Sequence, residues 1–265
     1  MPEGPTIDPE EVLPKIVDFI HDKTIAAGRH RLILGLSGGL DSSVSAYLGV
    51  RALGKENVKA FILPHATSSR RSADDAMLVA GELCIEYATL DITPIVDAYF
   101  NTFPEADHKR RGNFMARTRM AVLYDQSDAE VALVLGTGNR TEALLGYTTL
   151  WGDMACAFTP IGGLYKTQVC MLATYLGVPQ LIIDKPPSAD LWEGQTDEGE
   201  MGFTYDEVDR FLYHMIDLEY DNKALKQAGF DGAFINRVRQ MVASAAFKRA
   251  MPPYPKHGVQ AQPDS

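Results

Sequence analysis

Residues Leu32-Ile-Leu-Gly-Leu-Ser-Gly-Gly-Leu-Asp-Ser-Ser43 decide the fold. An apolar, strand-like run passes directly into a glycine-rich turn that carries three hydroxyls and one carboxylate. Gly38 and Gly39 have no Cβ, so the backbone can turn tightly and bring its N–H groups close to anionic oxygens. Ser37, Ser42 and Ser43 add hydroxyl donors. From Ser42 to Leu53 the spacing is helical, with Val44, Leu48 and Leu53 as a buried stripe. The turn therefore feeds a helix N-terminus, whose dipole favours phosphate. Asp41 is the odd member. A carboxylate beside phosphates repels them unless a divalent cation stands between, which makes Asp41 a candidate magnesium ligand. The stretch lacks the Gly-Lys-Ser/Thr ending of a Walker A loop, and no G-x-G-x-x-G follows the strand. The alternative is a strand-to-helix turn that is glycine-rich for packing alone.

Outward from this stretch the pattern alternates. Val12, Leu13, Ile16, Val17 and Ile20 share a helical face, giving a first helix to about Ala27, where Gly28 stops it. Short apolar runs with β-branched residues predict strands at His30–Leu36, Val58–Pro64, Glu86–Ile92 and Val131–Gly136. Helical stretches at Ser42–Leu53 and Ser72–Leu83, and a longer interval from Thr93 to Gln126, separate them. Strands alternating with helices imply an α/β fold, a doubly wound parallel sheet with both faces covered. Ligands in such sheets bind beyond the carboxyl ends of the strands, so the Ser37–Ser43 turn and the turn at Gly136 should face one pocket. A helix from Lys166 to Leu176 ends at Gly177 with Pro179 beyond it. Lys185–Gly202 reads as a long lid-like loop. Helices resume at Tyr205–Tyr220 and Asp231–Arg249, before a flexible Pro-rich tail at 252–265. With no internal repeat and no linker, residues 1–265 read as one domain.

Composition narrows the function classes. The 265 residues are 46% hydrophobic, ample for a core, and carry a formal net charge of -10. That balance argues against a broad nucleic-acid or acidic-membrane surface. The acidic, proline-bearing start does not resemble a signal or transit peptide, and no apolar run reaches membrane-spanning length. Cys84, Cys156 and Cys170 are odd in number, widely spaced and without a C-x-x-C pair, which suits a reducing cytoplasm and ordinary thiols.

A second dense segment, Gly136-Thr-Gly-Asn-Arg-Thr-Glu142, leaves a buried strand through a turn. Thr137 can donate to a nucleotide, and Glu142 can complete a magnesium site with Asp41. The plainer alternative is a capped helix start, with Thr141 capping and Glu142 in the first turn. Lys166 stands at a helix start, where the dipole disfavours a cation, so it is aimed at an anion.

Ser37-Gly-Gly-Leu-Asp-Ser-Ser43 matches the signature of the PP-loop ATP pyrophosphatases, whose fold is adenine-nucleotide alpha hydrolase-like. With Asn113–Arg119, Gly136–Glu142, Gly146–Asp153, Leu164–Val169, Pro187-Ser-Ala-Asp-Leu-Trp192 and Gln195-Thr-Asp-Glu198, the chain resembles the NAD synthetases, the amide-forming branch of that family. It looks like the shorter, ammonia-dependent form, with no glutaminase domain. The resemblance implies that Gly35, Leu36, Ser37, Gly38, Gly39, Leu40, Asp41, Ser42 and Ser43 bind ATP phosphates, with Thr137, Lys166 and Ser188 completing the nucleotide site. It implies Mg2+ on Asp41 and Glu142, and Arg117 on deamido-NAD. The implied chemistry has two steps. The nicotinate carboxylate attacks the α-phosphate of ATP, giving an acyl adenylate and pyrophosphate, and ammonia then yields NAD and AMP. Lys166 would offset charge on the leaving group, and Asp153 would orient substrate or take a proton from ammonium. A cytoplasmic homodimer is also implied.

The chain departs from the family pattern at Leu150, where lysine is common, at Ala157, where aspartate is common, and at Phe247, where histidine precedes Lys248. These positions touch the nicotinate end in other members, so Lys248, with Arg117 and Asp153, becomes the candidate for that contact. Another PP-loop ligase acting on a different carboxylate, or a non-catalytic nucleotide-binding module, remains an alternative.

Overall fold

The computed structural model of the chain describes residues 3–188, 194 and 196–255. Leu32–Gly35 forms β1, near the middle of a four-stranded sheet with β2 (Val58–Ile62), β3 (Glu86–Thr89) and β4 (Leu133–Val134). Every pairing is parallel, in the order β3-β2-β1-β4, with Leu32 beside both Val58 and Leu133. Parallel neighbours need crossovers. These are α2 (Leu40–Leu53), α3 (Arg70–Glu82), and the pair α4 (Thr93–Phe100) and α5 (His108–Ala129), while α1 (Pro9–Ala26) precedes the sheet.

Alternation along the strands assigns the two faces. Leu32 and Leu34, with Val58, Ala60 and Ile62, bury against Ile20 of α1, Leu48 of α2, Val79 of α3 and Leu172 of α7 (Lys166–Leu176). Ile33, Phe61, Leu63 and Val134 face the other way, against Val96 and Phe100 of α4 and Met115 of α5. The doubly wound expectation is met. A third cluster, including Tyr165, Met201, Tyr205, Phe211 and Val238, unites α6 (Arg140–Leu145), α9 (Asp197–Met201), α10 (Tyr205–Leu212) and α12 (Gly232–Ser244). The short helices α8 (Gln180–Ile183) and α11 (Asn222–Gln227) connect these parts.

Several boundaries differ from the sequence reading. The strands expected over His30–Leu36 and Val131–Gly136 are regular only over β1 and β4, although Leu36 N–H still donates to the Phe61 carbonyl at 2.9 Å and Leu135 N–H to the Ile33 carbonyl at 2.8 Å before the chain turns away. Gly136 N–H donates to the Phe158 carbonyl and Ala157 N–H to Val134, both at 2.9 Å, so residues 157–158 cover the outer edge of β4. The Thr93–Gln126 interval is two helices, because Asp107 starts a new one by accepting from Arg110 N–H at 2.7 Å. The helix expected to Tyr220 loosens into a π-helical turn at Tyr213–Asp217, and that expected to Arg249 ends at Ser244 before a 3-10 turn, Ala246–Arg249. Inside the Lys185–Gly202 loop, Thr196 caps α9. Residues 189–193 and 195 of that loop, and 256–265 of the Pro-rich tail, lie outside the described residues.

The strand order places the site. From β1 the chain moves to β2 and β3 on one side, whereas β4 returns on the other, so the order switches between β1 and β4. At that switch the loops leaving the two strands diverge and open a crevice.

Candidate active site

The β1 loop is shaped by its glycines and serines. Gly38 has φ +72°, and a Cβ there would lie 2.2 Å from the Ser72 carbonyl oxygen, so only glycine fits against the first turn of α3. Ser42 Oγ receives Ser37 N–H at 3.2 Å and contacts Ser37 Oγ at 3.0 Å, while Ser43 Oγ donates to the Gly39 carbonyl at 2.8 Å. The serines thus brace the loop as well as offering donors. Gly39 is the N-cap of α2 and supplies no side-chain cap. The first N–H groups of that helix have no intrahelical acceptor, which leaves them for an anion.

The β4 loop meets this one. Asn139 Nδ2 donates to Asp41 Oδ1 at 3.0 Å, joining loops 98 residues apart in sequence. The cap of α6 is Asn139, not Thr141: its Oδ1 accepts Glu142 N–H at 2.9 Å, and its own N–H reaches back to Glu142 Oε2 at 3.4 Å. Thr141 instead ties α7 and α10 together, donating to Asp209 at 2.6 Å and accepting Lys166 N–H at 2.9 Å. Glu142 is therefore both a capping residue and a site carboxylate, so the two readings of this segment coexist.

Lys166 sits between the loops. Its Nζ pairs with Asp41 Oδ2 and stands 3.9 Å from Glu142 Oε1 and 5.3 Å from the centre of the Tyr205 ring. Burial pulls its pKa down, but the Asp41, Glu142 and Asp197 carboxylates outweigh burial and hold it above the usual lysine value. Glu142 is pushed up to about 8 by burial, with the Asp41 charge adding to the rise and Lys166 opposing it. Asp197, 5% exposed, accepts from Tyr205 OH at 3.0 Å, while its other oxygen has no partner among the described residues. Burial raises its pKa as well. The cluster holds more carboxylates than one ammonium can balance.

That imbalance suits a divalent cation. Asp41 and Glu142 offer hard oxygen donors from two loops at the mouth of the phosphate cradle, and a raised Glu142 marks a place where positive charge is wanted. Among the described residues no three His, Cys, Asp or Glu side chains are grouped to hold a metal. Magnesium needs no such cage, since it commonly takes one or two carboxylates together with substrate phosphates and water.

The remaining candidates form a second group. Arg117 of α5 donates to the Leu150 carbonyl from Nε at 3.2 Å and from Nη2 at 3.1 Å. Asp153 Oδ1 accepts Thr149 N–H at 2.7 Å. Lys248 Nζ reaches the Gly146 and Thr148 carbonyls at 2.8 and 2.7 Å, and burial lowers its pKa. All three converge on the 146–153 loop and shape it. Arg249 likewise bonds the Ala143 and Leu144 carbonyls of α6 at 2.9 and 3.0 Å, so both cations are held by backbone carbonyls. Phe247 is 64% exposed and Ala157 is used through its backbone. Thr137 follows β4 half-buried, and Ser188 lies exposed on the segment after α8.

Sequence reasoning missed Asn139, Asp197 and Asp209. Asn139 was marked by its spacing from Glu142, an Asx-x-x-Glu capping box. Asp197 stands in Gln195-Thr-Asp-Glu198, where no neighbour in the chain signals that its carboxylate is buried beside Tyr205. Asp209 is fully buried and accepts from Thr141, Thr167 N–H and the Thr167 hydroxyl, a set of bonds that only tertiary packing creates. The three cysteines are free thiols.

Residues 12–252 match the family model described as NAD synthase. The NH(3)-dependent NAD(+) synthetase of Chlorobaculum tepidum is 52% identical over 237 residues, 89% of this chain and 86% of that one. The solved NH3-dependent NAD synthetase of Campylobacter jejuni superposes with TM-score 0.81 at 35% identity, covering 95% of this chain and 100% of that one. An NMN synthetase structure from Francisella tularensis superposes with TM-score 0.84 at 34% identity over the same shares.

Proposed function

This chain belongs to the NAD synthase family, and from that premise we propose that it is an ATP-dependent carbon–nitrogen ligase converting deamido-NAD and ammonia to NAD, AMP and pyrophosphate. One observation carries the reading. Asp41, Glu142 and Lys166 meet at the β1/β4 switch point, beside a helix N-terminus left open by Gly39.

The chemistry follows from those groups. The first N–H groups of α2 and the loop serines bind phosphate oxygens. Lys166, now on Asp41, turns to the charge that builds on pyrophosphate as the acid carboxylate attacks the α-phosphate. Asp41 and Glu142 would hold Mg2+, which supplies Lewis acidity to the phosphates. Asn139 keeps Asp41 oriented through its amide. Attack of ammonia on the resulting acyl adenylate releases AMP, and Asp153 is the proposed proton acceptor. Arg117, Asp153 and Lys248 serve the acid end, either directly or by shaping the 146–153 loop. Thr137 and Ser188 complete the nucleotide site.

The reach of the family match from residue 12 to 252 supports one synthetase domain. A homodimer is proposed on the same footing, and the exposed Ile95, Tyr99 and Tyr124 of α4 and α5 offer apolar surface for it. No helix among the described residues is long and apolar enough to cross a membrane, and a cytoplasmic location is part of the same proposal. Incubation with ATP, magnesium, ammonium and deamido-NAD should give AMP, pyrophosphate and NAD in equal amounts. ADP as product, or turnover independent of deamido-NAD, overturns the reading.

A second reading concerns the acid alone. The family resemblance implies that Leu150, Ala157 and Phe247 stand where other members turn polar groups to the nicotinate end, and one structural relative is named an NMN synthetase. Nicotinate mononucleotide, the acid whose amide is NMN, is then the competitor to include in the same assay. Its preferential use would keep the reaction class and change the substrate.

A further inference from the structure

Lys185 is the sole lysine or arginine between Lys166 and Arg210. It stands at the end of the α8 segment, and its ammonium reaches back to the β1 loop. Nζ donates to the Gly38 carbonyl at 3.1 Å, to Ser72 Oγ at 3.2 Å and to Asp75 Oδ2 at 2.7 Å. An ammonium has three hydrogens, so these contacts use its full donor capacity. Asp75 is 6% exposed on α3, and Arg71 Nε lies 4.0 Å from the same oxygen. The buried carboxylate fixes the ammonium, and the ammonium fixes the carbonyl.

The carbonyl it fixes belongs to the most pivotal peptide in the loop. The Gly38–Gly39 peptide is trans, so its C=O and N–H point in opposite directions. With the carbonyl held toward α3, Gly39 N–H faces the other side, where its acceptor is Ser37 Oγ at a long 3.3 Å. A peptide between two glycines can turn over with little steric cost, since neither neighbour has a Cβ to oppose either orientation. Turned over, it would aim a carbonyl oxygen at bound phosphates in place of a donor.

We propose that Lys185 is a positioning residue that locks the Gly38–Gly39 peptide with its N–H toward the phosphate site. This rests on the ATP-binding reading of the β1 loop. Its consequence is specific: loss of the ammonium harms binding of phosphates and leaves the acid end alone.

The test measures binding of inorganic pyrophosphate and of Mg–ATP by calorimetry, alongside steady-state kinetics, for the wild type and Lys185→Met. Removing only the lysine strands a buried carboxylate, so the double variant Lys185→Met with Asp75→Asn decides the matter if the single one does not fold. In the folded variant, pyrophosphate and ATP affinities should fall roughly tenfold or more, with KM for the acid within about twofold of wild type. Lys185→Arg, which keeps a cation on Asp75 and a donor for Gly38, should recover most of the loss. With glycine-selective 15N labelling, the wild-type Gly39 amide should shift on adding pyrophosphate, and that shift should vanish in the variant. Unchanged pyrophosphate affinity in the folded variants overturns the role of Lys185, as does an equal loss of acid and ATP affinity. A wild type that binds neither pyrophosphate nor ATP overturns the phosphate-loop reading itself.

Discussion

Lys166 Nζ and Asp41 Oδ2 form an ion pair that joins the start of α7 to the start of α2, with Glu142 Oε1 3.9 Å from the same ammonium. Both helix starts disfavour a cation and favour an anion, so the pair stands ready to exchange partners once phosphates and a divalent cation arrive. Asp41→Asn or Glu142→Gln should lower the rate of ATP–pyrophosphate exchange by about two orders of magnitude, as loss of a group that stabilises developing charge does. The thermal midpoint should move far less than the rate. Near-normal exchange at low magnesium in either variant would assign the carboxylate a structural role instead.

Glu142 also predicts a pH dependence. Its folded-state pKa of about 8 lies above the ordinary value of 4.5, so between those values the folded state holds a proton that the unfolded chain has lost. Stability from this group is fully present below the unfolded value and is lost as pH rises through 8. Each pKa unit is worth about 1.4 kcal/mol, or roughly 2–4 °C in a chain of this size. Thermal melts without divalent cations should therefore show a falling midpoint from pH 5 to 8. Glu142→Gln should flatten the slope, and magnesium should stabilise more at pH 8 than at pH 6. A flat wild-type profile would remove the argument that positive charge is wanted at this position.

The parts of this fold legible in sequence were those set by local pattern. The apolar run through Leu34 into Gly38 and Gly39, the helix stripe at Val44 and Leu48, and the Gly177 stop all depend on neighbours in the chain. The meeting of the two loops was half legible: alternating strands and helices make the sheet parallel and put both loops at strand carboxyl ends, whereas the order that sets β4 beside β1 comes from the fold. What stayed hidden needed tertiary packing. Nothing near Lys185 announces that its ammonium caps the Gly38 carbonyl 147 residues away. Asp209 reads as one more charge on an amphipathic helix until α10 docks on Thr141 and Thr167. Lys248 is a candidate for the acid in sequence only because polar groups are missing at Leu150, Ala157 and Phe247, whereas its carbonyl contacts come from the way the chain's end folds over α6.

Asp209 gives a stability prediction separate from catalysis. It is fully buried and accepts from two hydroxyls and one backbone N–H at 2.6–2.9 Å. Asp209→Ala leaves those donors unpaired in an apolar surround, and should cost about 2–4 kcal/mol in denaturant unfolding. Asp209→Asn keeps an acceptor and should cost less. A loss below about 0.5 kcal/mol for the alanine variant would mean that water replaces the carboxylate.

Lys248 tests how the acid is recognised when Leu150, Ala157 and Phe247 stand where polar groups are common. Its Nζ bonds two carbonyls of the 146–153 loop, and Arg117 and Asp153 bond the same loop at Leu150 and Thr149. Truncation to alanine should loosen that loop and weaken binding of the acid substrate by roughly ten- to a hundredfold, the range for a partly buried charge-assisted contact. ATP affinity should stay nearly unchanged, because the β1 loop and Lys166 lie on other elements. Lys248→Arg can still donate to both carbonyls and should recover part of the loss if the lysine acts through the loop; if it touches the acid directly, the bulkier guanidinium should not. Equal loss of acid and ATP affinity would indicate a collapsed C-terminal segment, and no loss of either would leave Lys248 with no part in substrate binding. Running the series with deamido-NAD and nicotinate mononucleotide in parallel locates the contact: a lysine that serves the shared nicotinate end must weaken both acids alike, and a loss confined to deamido-NAD would place its effect at the adenylate half.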